Sequence, residues 1–293
     1  MIDNIKIIEN NDCNFSKNLK IIKNCPNKLY YCGNIELLNI PSIAVIGSRD
    51  CTDYGVNICK RFVEYYTKYD ICIVNGMARG IDGVALRTCV ENGGRAIAVL
   101  GGGISNISPK INAELAEQIV SNNGLIISEY DNKAIGYKSN FHERNRIISG
   151  LSDAVLVIEA AEKSGTAVMV DYANEQGKPV FACPGRLDFD TGIGVNKMIQ
   201  KGAAIAVNPE DVINNVNIFK NKFLPSDKKQ EKRREKLELT FEQKLLQLLD
   251  TSKSLDELEL ITAKNRMDLL VELTLLESRG LVVNIGGVGY KRV

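Results

Sequence analysis

Histidine is almost absent from this chain: His142 is the only one in 293 residues. Catalysis that needs two histidines is excluded, as is a zinc site of clustered cysteine and histidine. The eight cysteines, Cys13, Cys25, Cys32, Cys51, Cys59, Cys72, Cys89 and Cys183, form no C-x-x-C pair. Several fall inside apolar runs, which suits reduced thiols used as small hydrophobes in a cytosolic protein. No run of eighteen apolar residues is present to span a bilayer. The first six residues lack the basic-then-apolar layout of a secretory signal. A cytoplasmic location without metal or cofactor is therefore expected. Two phosphate-site signatures are also missing. There is no G-x-x-x-x-G-K-[ST], and Gly101-Gly102-Gly103 does not make a dinucleotide fingerprint followed by a ribose-binding acid. ATPase and dehydrogenase readings lose their signals. Net charge is only +1, from 37 Lys and Arg against 36 Asp and Glu. Binding to a polyanion would have to rest on where the cations cluster.

What the chain does have is alternation. Residues 1–41 are rich in Asn and Lys and read as a lead-in segment. From Ser42 onward, short apolar runs at 43–46, 71–74, 96–100, 125–127, 154–158, 180–182 and 205–207 alternate with amphipathic stretches near 54–68, 82–92, 109–121, 143–150, 166–176 and 195–201. Continuous apolar runs mark strands buried on both faces, and intervening helices demand parallel pairing. The expected fold over 42–215 is α/β: an extended Rossmann-like, doubly wound, mostly parallel sheet. Residues 216–237 include the charge run Asp227–Lys236 and read as a linker. Residues 238–293 hold three leucine-rich helical patterns, Gly280 as a helix stop and a two-strand pattern around Gly286-Gly287, which together suggest a small winged-helix domain.

In open α/β sheets, ligands bind beyond the carboxyl ends of the strands. Here those ends carry Gly47-Ser48-Arg49, then Asn75-Gly76-Met77-Ala78-Arg79-Gly80-Ile81-Asp82, then Gly101-Gly102-Gly103. They continue with a loop holding Lys138 and Phe141 ahead of Arg144-Asn145-Arg146, then Lys163-Ser164-Gly165-Thr166, then Pro184-Gly185-Arg186. Glycine turns let backbone N–H groups approach a ligand, and helix N-termini add positive dipole ends. Arg49, Arg79, Lys138, Arg144, Arg146, Lys163 and Arg186 supply charge. The pattern describes an anion site suited to phosphate. Phe141 in a polar loop beside Lys138 suits stacking on a nucleobase; it equally suits a ring that anchors the loop.

These segments together resemble the DprA/Smf family. The resemblance runs through residues 43–49, 75–82 and 125–129, the block Phe141-His142-Glu143-Arg144-Asn145-Arg146-Ile147-Ile148-Ser149-Gly150-Leu151, then 157–160, 164–166, 180–185, 194–199 and 202–203. It implies a single-stranded-DNA-binding recombination mediator, not an enzyme, that forms homodimers and helps load the RecA recombinase in natural transformation and recombination. It also implies that Arg49, Lys138, Phe141, Arg144 and Arg146 line the DNA site, with the glycine loops and Ser164-Gly165-Thr166 on phosphate. The chain departs from the family pattern in places: Leu86 stands where a His is usual, His142 where a Pro is usual, and Thr166-Ala167-Val168-Met169-Val170 lacks the usual later Thr.

Two other readings use the same residues. One is a nucleotide-binding sensor. The other is a nucleoside-monophosphate phosphoribohydrolase of the related Rossmann type, whose P-G-G-x-G-T-x-x-E segment resembles residues 161–169. Gly165-Thr166 is kept there, but Met169 replaces the acid that would stabilise an oxocarbenium-like transition state. Residues 237–293 carry seven cations against nine acids, 7 − 9 = −2. That charge favours a protein contact over duplex reading for the last domain.

Overall fold

The computed structural model describes residues 4–223, 241–262, 264–286 and 289–293. The chain divides into two compact units, Met1–Leu224 and Pro225–Val293, and each is taken by itself.

The first unit is built on one nine-stranded sheet. Its strands are β1 (Lys6–Glu9), β2 (Lys28–Gly33), β3 (Ser42–Ile46), β4 (Cys72–Asn75), β5 (Ala96–Leu100), β6 (Leu125–Ser128), β7 (Ala154–Val157), β8 (Val180–Ala182) and β9 (Ala204–Ile205), in the order β1-β2-β6-β5-β4-β3-β7-β8-β9. From β6 to β9 every pairing is parallel. Every residue of β3 to β8 is buried, which is why these strands read as unbroken apolar runs.

Alternate residues of each strand face opposite sides. Ile43 and Val45 belong to one apolar cluster, with Phe62, Tyr66, Leu86 and Ile119 from α2 (Asp53–Thr67), α3 (Ile81–Glu91) and α4 (Ala113–Ser121). Ala44 and Ile46 belong to the other, with Leu19 of α1 (Lys17–Lys20), Ile147 and Ile148 of α5 (Lys138–Leu151), Met169 of α6 (Gly165–Glu175) and Val195 of α7 (Asp190–Gln200). Helices thus cover both faces, as a doubly wound sheet requires.

Three expectations need correcting. The lead-in is not separate from the domain expected over 42–215. It extends the sheet with β1 and β2, and β2 runs antiparallel to β6 with Tyr31 opposite Ile127. The linker does not begin at 216. Val216 and Phe219 are buried in the first core, and helices α8 (Pro209–Ile213) and α9 (Asn217–Phe223) follow the last strand. The rest of the expected linker, 224–237, lies outside the described residues. Lys138 and Phe141 are not in a loop, because α5 already starts at Lys138.

The second unit contains helices Phe241–Leu248, Leu255–Thr262 and Arg266–Ser278, followed by the antiparallel pair β10 (Val282–Ile285) and β11 (Gly289–Arg292). Leu245, Leu249, Leu258, Leu269, Leu273, Leu276 and Val282 form its core. Burying side chains of this size contributes about 1.5–3 kcal/mol each.

Candidate functional site

The parallel order reverses direction at β3. From there the chain steps outward through β4, β5 and β6, then returns to lay β7 on the other side of β3. Loops diverge at such a point and leave a crevice at the carboxyl ends. A cleft of about 860 Å³ opens there. The loop after β3 contributes Gly47, Ser48, Arg49 and Asp50. Helix α5 contributes Lys138, Phe141, His142, Arg144 and Asn145, and the loop leading into α6 contributes Lys163, Ser164, Gly165 and Thr166. A smaller crevice of about 150 Å³ shares Arg49, Ala78, Phe141 and Arg144 with the first and adds Gly76, Arg79, Ser108 and Pro109.

The loop between β4 and α3 is fixed by a buried polar network. Asn75 Nδ2 donates to the Val45 carbonyl at 3.1 Å and to the Asp82 carbonyl at 3.0 Å, while its Oδ1 accepts from the Met77 amide at 2.9 Å. Asp82 accepts from the Gly76 amide at 3.1 Å. Asn112 Nδ2 reaches the Met77 and Ala78 carbonyls at 2.9 and 3.1 Å. These bonds hold Met77 at φ 52°, a left-handed backbone that a side chain adopts only when its surroundings enforce it. Gly80, at φ 71°, passes so close to the Ser48 and Arg49 carbonyls that a Cβ would overlap them. The Ile81 amide donates to the Ser48 carbonyl at 3.0 Å, locking the two cation-bearing loops together.

The five cations of the cleft and its side crevice divide by environment. Arg49, Lys138 and Lys163 are exposed, and among the described residues none of them makes an ion pair. Arg79 is exposed and weakly paired with Asp50 at 3.5 Å. Arg144 is only 4% exposed. Its Nη1 donates to the Gly76 carbonyl at 2.9 Å and to the Val99 carbonyl, while its Nε has no partner among the described residues. Burial pushes its pKa down to about 10, against the pull of Asp82. Burial pushes Asp82 up, and the nearby Arg144 opposes that. Arg144 thus forms the floor of the cleft and is committed to the backbone of the β4 and β5 turns.

Arg146, expected beside it, is not brought to the cleft. Two residues further along α5 it points elsewhere and holds both oxygens of Glu129 at 2.7 Å. Arg186 is paired with Asp188 at 2.6 Å on the loop after β8 and does not line the cleft. Asn145 lines it and ties α5 to α6 through the Gly165 carbonyl at 3.4 Å. The Thr166 hydroxyl is already donated to the Gly47 carbonyl at 3.2 Å. Ser164 is different. It stands at the N-cap of α6 with no capping bond, and its Oγ is buried without a partner among the described residues. Beside it, the space next to Gly165 is open. The positive dipole end of an eleven-residue helix, without a side-chain cap, therefore meets the cleft where Lys163 adds its charge.

Phe141 packs as an anchor and also keeps part of its ring at the cleft. Its ring packs so tightly on Gly101 and Gly136 that a Cβ at either would overlap it, yet it lines both crevices and stays half-buried. Gly101-Gly102-Gly103 is therefore a packing device for this ring and for the loop at 131–136, not a phosphate cradle. Sequence reasoning missed Asn112, which no motif marks. Glu159 stood in the family-like stretch 157–160 without a role; its carboxylate accepts from the Thr52 amide at 2.9 Å and the Thr52 hydroxyl at 2.6 Å at the start of α2. Met169, at the position where a phosphoribohydrolase would carry an acid, forms part of the cleft wall.

Comparison with known proteins places this geometry in context. The family model described as DNA recombination-mediator protein A matches residues 6–217. The DNA processing protein DprA of Streptococcus pneumoniae is 37% identical over 202 residues, 69% of this chain and 71% of that protein. Protein Smf of Escherichia coli is 39% identical over 191 residues, 65% of this chain and 51% of that protein. Among solved structures, the X-ray structure of DprA from S. pneumoniae superposes with a TM-score of 0.69 at 34% identity, covering 73% of this chain and 75% of that one. DNA processing protein A from Helicobacter pylori, described for its single-stranded DNA binding mode, superposes with a TM-score of 0.66 at 31% identity, covering 74% of this chain and 97% of that one. No helix among the described residues is long and apolar enough to cross a membrane.

Proposed function

The chain belongs to the DNA recombination-mediator protein A family, and from that premise we propose that its cleft binds single-stranded DNA without strong sequence preference. The observation that carries this reading is that three exposed cations, Arg49, Lys138 and Lys163, none in an ion pair among the described residues, line one cleft with the half-buried Phe141 ring. Such cations neutralise phosphates and release counterions, while an aromatic face accepts any unpaired base. The open N-terminus of α6 with the Ser164 hydroxyl is suited to one phosphate oxygen. Gly47, Ser48 and Arg49 would hold the next phosphate, and the side crevice with Gly76 and Arg79, next to the turn at Gly80, continues the path beyond Phe141. None of these steps makes or breaks a covalent bond, so the chain works as a binding protein and not as an enzyme.

The wider role follows from family membership. The protein would hold incoming or exposed single strands in the cytoplasm and help load RecA on them during transformation and recombination. A homodimer would place two clefts on one strand and raise affinity through effective concentration. The second unit, read as a winged helix with an acidic balance, would serve a protein contact.

Competition separates this reading from a nucleotide sensor or a phosphoribohydrolase. A labelled single-stranded 30-mer (about 30 nucleotides, longer than a typical single-strand site) is displaced by unlabelled single strand, by duplex or by nucleoside monophosphate. Displacement by the single strand at far lower concentration than by the other two is expected. A monophosphate that competes equally well, or that releases ribose 5-phosphate, contradicts it.

A further inference from the structure

We propose that the loop between β8 and α7 is a second single-strand contact, a platform on which an unpaired base stacks beside the cleft. This rests on the reading of the cleft as a single-strand site and extends that site along the sheet edge.

The loop shows apolar surface to water although it is tightly built. Leu187 is 79% and Phe189 41% exposed. The Gly185 amide donates to Asn196 Oδ1 at 3.0 Å, and Asn196 Nδ2 donates back to the Gly185 carbonyl at 2.9 Å. Tyr54 Oη donates to the Pro184 carbonyl at 2.8 Å. Gly192 lets α7 run directly against the Arg186 backbone, where a Cβ would overlap it. Ordering a loop costs conformational entropy, and apolar groups left in water return none of it. The Arg186 guanidinium lies 4.7 Å from the centre of the Phe189 ring. Its Nε and Nη2 are held by the two oxygens of Asp188 at 3.0 and 2.6 Å. A guanidinium fixed over an aromatic ring presents a flat cationic surface that nucleobases of any sequence stack on.

The position fits the same strand of nucleic acid. Arg49 follows β3, Lys163 follows β7 and Arg186 follows β8, and these three strands are neighbours in that order. The strands that lead into the Arg49 and Arg186 loops are thus two places apart in the sheet, about 10 Å at a spacing of about 4.8 Å. The Ala160 amide donates to the Thr191 carbonyl at 2.9 Å, fastening the loop that lines the cleft to the first turn of α7. Asp188 pairs with Arg186 here and Glu162 with Lys197 at 2.6 Å, and Asp190 adds an exposed acid beside Phe189. The platform therefore adds stacking and not counterion release.

The chain has no tryptophan, so Phe189→Trp places a lone indole on the platform. Oligothymidylates of about 6 and about 20 nucleotides, below and above a typical single-strand site size, are titrated into this variant, into Phe189→Ala and into wild type. The longer oligomer is expected to quench the indole and the shorter one to leave it unchanged. Phe189→Ala should bind the longer oligomer about tenfold more weakly, bind the shorter one as wild type does, and keep the wild-type salt dependence. Wild-type affinity at both lengths, with no quenching, overturns the platform and leaves the cleft standing. A wild-type protein that binds neither length overturns the cleft reading and the platform with it.

Discussion

The Arg144 guanidinium fills the space that a side chain at Gly76 would need, and its Nη1 donates to the Gly76 carbonyl at 2.9 Å. The pair makes one buried joint between α5 and the loop after β4. Arg144→Ala should cost about 3–5 kcal/mol, because the Gly76 and Val99 carbonyls lose their donor and Asp82 loses its neighbouring charge. Gly76→Ala should cost about 1–3 kcal/mol by overpacking. Urea unfolding reads both. Stabilities within about 0.5 kcal/mol of wild type, the range of ordinary surface changes, would contradict the joint.

Lys138 and Lys163 are exposed and make no ion pair among the described residues, so removing either should leave stability unchanged while weakening single-strand binding. Taking away one phosphate-neutralising cation should flatten the plot of log affinity against log salt by about 0.7. Anisotropy at several salt concentrations measures this. Arg146→Ala should behave in the opposite way. It strips Glu129 of its partner at 2.7 Å, lowering stability without changing the salt slope.

The two roles of Phe141 separate by substitution. Phe141→Ala should lose about 1–3 kcal/mol of binding through stacking and also some stability, because the ring fills the space over Gly101 and Gly136. Phe141→Leu keeps most of the packing and removes the aromatic face. It should restore the unfolding midpoint but not the affinity. Recovery of both together would make the ring a packing residue only.

Asp82 gives a pH signature. Burial raises its pKa in the folded state above the ordinary value, so the folded protein holds this proton more tightly than the unfolded chain. Its contribution to stability is then fully present below the unfolded value near 3.8 and is lost as pH rises through the raised folded value. Asp82→Asn has no such titration. The stability of wild type relative to this variant should fall as pH rises from about 3.5 toward neutrality, a range that begins at the ordinary carboxylate value. Urea unfolding across that range checks it, and a relative stability that climbs instead would show that hydrogen bonds and Arg144 outweigh burial.

Much of the fold was legible because both faces of the sheet are covered. Strands buried on two sides read as continuous apolar runs such as 96–100, and α2, α3 and α6 begin within one residue of where periodicity placed them. The start of α5 was not legible. Tyr137 is its N-cap without a capping bond, while Ser139 and Asn140, with Glu143 three residues on, signal a start later than the true one. That error put Phe141 in a loop. The different fates of Arg144 and Arg146 were readable in principle. Arg144 falls on the stripe with Ile147, Ile148 and Leu151, the buried side of α5, and Arg146 does not. The partner of Arg146, Glu129, comes from the end of β6, and only the tertiary fold brings them together. Likewise β2 gives no local sign that it will pair with β6, because an antiparallel edge pairing is set by register across about 95 intervening residues and not by local pattern.

The most direct test of the cleft is the affinity of Arg49→Ala for a labelled single-stranded oligonucleotide, measured by anisotropy at two salt concentrations with duplex as competitor. Arg49 is exposed, makes no ion pair among the described residues and stands where the cleft and its side crevice meet. The account predicts salt-sensitive binding that duplex displaces poorly, and a variant that unfolds like wild type but binds the single strand at least several-fold more weakly with a shallower salt slope. A stable Arg49→Ala that binds single strands like wild type would contradict it.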